Sequence, residues 1–97
     1  MGRYVGLVNW TDQGIRNYKD TRQRAEAFGA MLQGLGGRLV EVYWTQGPYD
    51  IVVIIDLPDD EAATAAMLRV GALGNVRTTT MRAFSSDEMA RIVEKAG

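Results

Sequence analysis

A chain of 97 residues with 46% hydrophobic and 24% charged residues has the size and balance of one small globular domain, here expected over residues 1–97. Its formal net charge of -1 supplies no basic face for nucleic acid, and no run of about 18 apolar residues marks a membrane span. Cysteine and histidine are both absent, which excludes disulfides, thiolate nucleophiles, Cys/His zinc sites and histidine-based triads; any chemistry falls to carboxylates, Tyr, Ser/Thr, Lys, Arg, Asn or a borrowed cofactor.

The first strand is predicted over Tyr4–Trp10, where Val5 and Leu7 alternate with Tyr4, Gly6 and Val8, so both faces are mostly apolar. Nothing before it forms an apolar signal core, and the expected location is the cytoplasm. Thr11-Asp12-Gln13-Gly14 reads as a turn with helix-start character. Ile15, Tyr18, Ala25, Phe28, Leu32 and Leu35 then recur at helical spacing, with Asp20 or Thr21 capping the main helix after a short preliminary turn and Gly36-Gly37 ending it. Arg16, Lys19, Arg22 and Arg24 cluster on this stretch, but Asp12, Asp20 and Glu26 lie among them, so the cluster reads as a solvated face.

A second strand follows over Arg38–Thr45, with Leu39, Glu41, Tyr43 and Thr45 on one face and Val40, Val42 and Trp44 on the other. Gln46-Gly47-Pro48 is a short hairpin connection. The third strand, Ile51–Leu57, is apolar on both faces: Ile51, Val53, Ile55 and Leu57 share one, Val52 and Ile54 the other. Asp59 is the predicted cap of a helix over Ala62–Leu73, with Asp60 and Glu61 at its positive end. A fourth strand runs over Asn75–Phe84, and Ser85 with Glu88 forms a capping-box signature for a last amphipathic helix through Met89, Ile92 and Val93.

The order β-α-β-β-α-β plus a C-terminal helix predicts an α+β, ferredoxin-like fold: a four-stranded antiparallel sheet with two helices on one face. The uncovered face carries enough Val and Ile, each contributing roughly 1.5–3 kcal/mol when buried, to require a partner, most simply a second copy of the chain.

The residues Gly36-Gly37-Arg38, Tyr43-Trp44-Thr45, Gly47-Pro48-Tyr49-Asp50, Pro58-Asp59-Asp60-Glu61 and Gly74-Asn75-Val76-Arg77-Thr78 through Thr80 and Phe84 together resemble the GYD domain family of the dimeric α/β-barrel superfamily. The resemblance runs from Leu7 to about Ile92; Pro48 interrupts the Gly-Tyr-Asp triplet. It implies a ferredoxin-like fold assembled as a homodimer or higher homo-oligomer, a dimeric α/β barrel, and implies no particular activity.

Six residues are candidates for a small-molecule ligand site. Asn9 and Trp10 end the first strand, where an amide can orient an oxygen and an indole can stack on a flat ligand. Tyr49 and Asp50 open the third strand and place a carboxylate at a pocket mouth, against the plainer reading of an acceptor that pins the hairpin or pairs with Arg38 or Arg82. Thr80 and Arg82 share a face with Thr78 and present hydroxyls and a guanidinium, against the plainer reading of a β-branched strand with solvent arginines. Asp56, Asp59, Asp60 and Glu61 are read as helix capping and not as a hard-metal set, and no cofactor is expected. The leading function is a ligand-binding or assembly module that self-associates; the alternative is a cofactor-independent monooxygenase or isomerase acting on a small aromatic substrate through Asn9, Trp10, Tyr49 and Asp50. Nucleic acid and membrane are not expected partners.

Overall fold

The structure, a computed structural model, describes all residues from Met1 to Gly97. Four strands form one antiparallel sheet: β1 (Gly2–Trp10), β2 (Arg38–Trp44), β3 (Ile51–Leu57) and β4 (Val76–Ala83), in the spatial order β2-β3-β1-β4. The helices are α1 (Asp12–Arg16), α2 (Thr21–Gly34), α3 (Asp60–Ala72) and α4 (Ser86–Ala96), with a 3-10 turn over Tyr18–Asp20. This is the α+β ferredoxin-like arrangement, with β1 and the strongly apolar β3 paired at the centre.

Alternation divides each strand between two environments. Tyr4, Val8, Val53, Ile55, Leu57 and Val76 point toward α2 and α3 and are buried there with Leu32, Ala63 and Ala66. Val5, Leu7, Val52 and Ile54 point away and are only partly buried, because no helix lies on that face. They share it with Tyr43 and Met81, which are 55% and 45% exposed.

Local chemistry explains the element ends. Thr11 caps α1 by accepting from the Gly14 N–H at 3.1 Å, and Asp59 caps α3 by accepting from Ala62 N–H at 2.8 Å. Ser85 and Glu88 close a full capping box at α4. Gly36, at φ +83°, takes the left-handed conformation that ends α2.

Three details depart from the sequence reading. Ile15 and Tyr18 are 52% and 56% exposed, because the 3-10 turn breaks the helical phase and only residues after Thr21 keep the stripe that faces the sheet. An irregularity between Leu39 and Glu41 shifts the β2 register by one residue, so Leu39 joins Val42 and Trp44 on the helix side while Glu41 and Tyr43 stay on the open side. The β2–β3 connection is six residues long, from Thr45 to Asp50, and is held by Thr45 N–H donating to Asp50 C=O at 2.9 Å and the Thr45 hydroxyl donating to Tyr49 C=O at 2.6 Å.

Gly14 is where α1 meets the loop before β4. A Cβ built there would stand 1.9 Å from the Asn75 carbonyl oxygen, in a junction also tied by Thr11 N–H to Asn75 C=O at 3.1 Å. Gly14→Ala is expected to destabilise the fold by roughly 1–3 kcal/mol through this backbone clash, whereas Gly34→Ala, with open space around it, is expected to be neutral or slightly stabilising. Urea unfolding of the two variants beside the parent checks the difference.

Candidate functional site

The sheet and its two covering helices do not close completely. A cavity of about 310 Å³ lies between them, at the small end of the roughly 300–1,000 Å³ range of ligand pockets. Its walls are apolar: Val8 and Val53 from the sheet, Phe28 and Met31 from α2, Met67 and Val70 from α3. It exists in part because Gly6, at the centre of β1, offers no side chain; even a methyl there would lie 2.7 Å from Val53 Cγ2.

Polar groups gather at one end. Trp10 ends β1, Asn75 precedes β4, Thr21 and Arg24 lie in the first turns of α2, and Arg69 lies in the last turn of α3. Arg24 donates to the Gly14 carbonyl at 3.1 Å, and neither Arg24 nor Arg69 has an acidic partner within ion-pair distance. The indole nitrogen of Trp10 is buried and has no acceptor. By contrast the indole of Trp44, on the same side of the sheet, donates to the Thr21 hydroxyl at 2.9 Å. Thr78, further along the wall, has only weak partners: its hydroxyl lies 3.5 Å from Met67 Sδ and 3.4 Å from the Thr80 hydroxyl.

The six residues singled out from the sequence are distributed as follows. Trp10 lines the cavity. Asn9, one residue earlier, lies on the open side of the sheet, since adjacent strand residues face opposite ways. Asp50 accepts the Trp10 backbone N–H at 2.9 Å, while its own N–H donates to Val8 C=O at 2.9 Å, so it clasps the start of β3 to the end of β1. It pairs with neither Arg38 nor Arg82. Tyr49 is partly buried in the loop beside it. Thr80 lies on the helix side, hydrogen-bonded to Thr78. Arg82 stands at the opposite end of the sheet from Trp10, its guanidinium 4.6 Å from the Phe84 ring centre and 3.5 Å from Glu88.

Sequence reasoning misses Arg24, because its neighbours Arg16, Lys19 and Arg22 are solvated. Its spacing of four from Phe28 puts it on the sheet-facing stripe of α2, and that spacing is the signal that could have found it.

The acidic residues serve structure. Asp56 lies on the open side, only 8% exposed, and receives Arg3 on both oxygens at 2.9 and 3.0 Å and Arg38 at 3.1 Å. The hydrogen bonds from Arg3, with Arg38 in support, hold its carboxyl below the usual value of 3.8 against the opposing effect of burial. Asp60 accepts the Tyr4 hydroxyl at 2.5 Å; burial first, then this bond, push the Tyr4 phenol up to about 12.

The GYD domain family model matches residues 4–93. The chain belongs to the GYD domain family. This GYD domain protein is 30% identical over 94 residues to the glutamine synthetase and cystathionine beta-lyase binding protein of Thermus thermophilus, a match covering 95% of this chain and 99% of that one. Among solved structures it resembles TTHA0845, also from Thermus thermophilus, with a TM-score of 0.57 and 27% identity across 89% of this chain and 96% of that one. The shared fold is the ferredoxin-like one described above.

Because the folded value of Asp56 lies below the unfolded one, its pairing contributes stability that is complete above the unfolded value and is lost as the pH falls through the folded value. Asp56→Asn is therefore expected to lower stability at neutral pH by about 1 kcal/mol, the arginines being half-exposed and screened, and to flatten the acid limb of the stability curve. Unfolding midpoints recorded from neutral pH downward for the parent and the variant test both points.

Proposed function

We propose that this GYD domain protein is a non-catalytic assembly module: two copies join through their open sheet faces, and the pair holds protein partners on the surface left over. One observation carries the reading. Val5, Leu7, Val52 and Ile54, flanked by Tyr43 and Met81, form an apolar surface that no element of the chain covers. At roughly 1.5–3 kcal/mol for each large aliphatic side chain taken from water, a second sheet packed on this one at about 10 Å is the simplest cover.

The C-terminal helix supports the same reading. In α4, Met89, Ile92 and Val93 make one apolar stripe, yet Met89 and Val93 are 48% and 59% exposed and only Glu88 and Ile92 are even partly buried. A helix so amphipathic is built to lie on something, and a second copy brings an apolar sheet within reach. The name of the Thermus thermophilus relative, a binding protein of two enzymes, supports protein partners as the class of target.

The enzymatic alternative asks Asn9, Trp10, Tyr49 and Asp50 to act together on an aromatic substrate. Asn9 faces the open side, and the Asp50 carboxylate is engaged by a backbone N–H. The arrangement supports holding over turning over.

Ile54 is central to the open face and outside the buried core. Ile54→Asp is expected to convert a dimer or larger assembly to monomer while the helical circular-dichroism signal persists. Removal of residues 86–97 is expected to weaken association without unfolding the sheet. Sedimentation equilibrium reads both; a monomeric parent at micromolar concentration, or an Ile54→Asp protein of unchanged mass, overturns the reading.

A further inference from the structure

We propose that the cavity between the sheet and helices α2 and α3 is a binding site for a small monocarboxylic acid with an apolar body, a short aliphatic chain or a single ring, whose carboxylate is received by the Trp10 indole N–H together with Arg24 and Arg69. The site lies on the opposite side of the sheet from the proposed assembly face and does not depend on it.

Three observations converge. The first is shape and lining: about 310 Å³ of space walled by Val8, Phe28, Met31, Val53, Met67 and Val70 suits an apolar body and little else.

The second is the orphaned donor. A buried N–H without an acceptor costs on the order of 1–3 kcal/mol, and buried polar groups are ordinarily satisfied. The Trp10 indole nitrogen is the one buried side-chain polar atom of the chain left without a partner. The other tryptophan, on the same side of the sheet, has its acceptor. The nitrogen has essentially no accessible surface, so a ligand oxygen meets it once the wall beside it gives by a small side-chain shift.

The third is charge. Arg24 and Arg69 border the cavity from two different helices and neither is ion-paired. Arg24 is anchored through the Gly14 carbonyl, and Gly14 follows Trp10 by four residues through α1, so the guanidinium and the indole belong to the same end. Two cations and a neutral donor around one opening select an anion, and a carboxylate supplies both the acceptor and the charge. Polar groups concentrated at one end of an otherwise apolar wall fit a single oxygen-bearing head and not a polyol or a nucleotide. Thr78, with only a thioether and a distant hydroxyl as partners, adds a second weakly used polar group on the wall.

The test uses octanoate and 1-octanol, which share a body and differ in the head. The Trp10 indole N–H is followed by ¹H–¹⁵N correlation spectroscopy, with the two indole peaks assigned from a Trp44→Phe variant. Octanoate is expected to move the Trp10 peak downfield and saturably, leaving the Trp44 peak nearly still, and to bind about tenfold tighter than octanol, as one charge-assisted contact warrants. In the Arg24→Gln/Arg69→Gln protein, whose changed residues lie at the rim and outside the buried core, octanol binding is expected to persist and the advantage of octanoate to vanish. Absence of a saturable shift at Trp10 with either probe overturns the proposal. So does equal affinity for the two probes in the parent, or an octanoate advantage that survives in the double variant. A Trp10 peak that responds to protein concentration and to neither probe assigns the cavity to a segment of another copy and likewise overturns it.

Discussion

The pairing of β1 with β3 at the centre of the sheet places side by side two strands that carry apolar side chains on both faces. Side-chain alternation then forces a division: while the helices cover one side, a second apolar set is left on the other. The chain has one helical layer, α2 and α3, and spends it on Tyr4, Val8, Val53, Ile55 and Leu57. The remaining features follow from that asymmetry. The open face, the unpacked α4 and the thin 50 × 31 × 18 Å outline go with a sheet that has more apolar surface than its own helices hide.

The order of the elements and the division of β3 were legible because they rest on period. A period of two in Ile51–Leu57 and of about 3.6 along Phe28, Leu32 and Leu35 are local properties, and so is a cap such as Asp59 or the Ser85–Glu88 box. What local pattern does not carry is register between strands. The shift between Leu39 and Glu41 exists because β2 must meet β3, and its effect on Leu39 has no mark in the residues around it. Partner choice is non-local in the same way. Asp50 finds a backbone N–H forty residues away, and Arg38, one residue past the end of a glycine pair, finds Asp56 and not Asp50. A carboxylate beside a tyrosine at a strand start looks the same in sequence whether it clasps a strand or faces a substrate.

The pair Asn9-Trp10 shows the limit most sharply. Read along the chain, adjacent polar and aromatic residues at a strand end look like one site. On a pleated strand they belong to opposite faces, Asn9 to the open side and Trp10 to the cavity side. Sequence neighbours were separated by the sheet, while Trp10, Arg24 and Arg69, spread over sixty residues, were gathered at one opening. Arg24 is the instructive member: charge composition assigns it to a solvated cluster, and helical spacing assigns it to the stripe under Phe28. The structure follows the spacing, because burial on a helix is decided by face and not by neighbours in the chain.

Placing the two surfaces on opposite sides of one sheet has a mechanical consequence. The cavity wall and the open face share the same strands, Val53 and Ile54 being adjacent residues of β3 with opposite destinations. A side chain added or removed on one side acts on the other only through the backbone of the pleat, which β1 stiffens by bonding β3 along seven paired positions. Small aliphatic changes on the open face therefore leave the cavity's walls in place, and occupation of the cavity reaches the open face only by shifting whole strands. At the strand ends the pleat is fastened by the Asp50 clasp, whose carboxylate holds the Trp10 N–H from the loop that opens β3. On its other edge the same end of β1 is held by β4, through the pairs Asn9–Arg77 and Trp10–Val76, so Asn9 and Trp10 keep their separate sides from both neighbours.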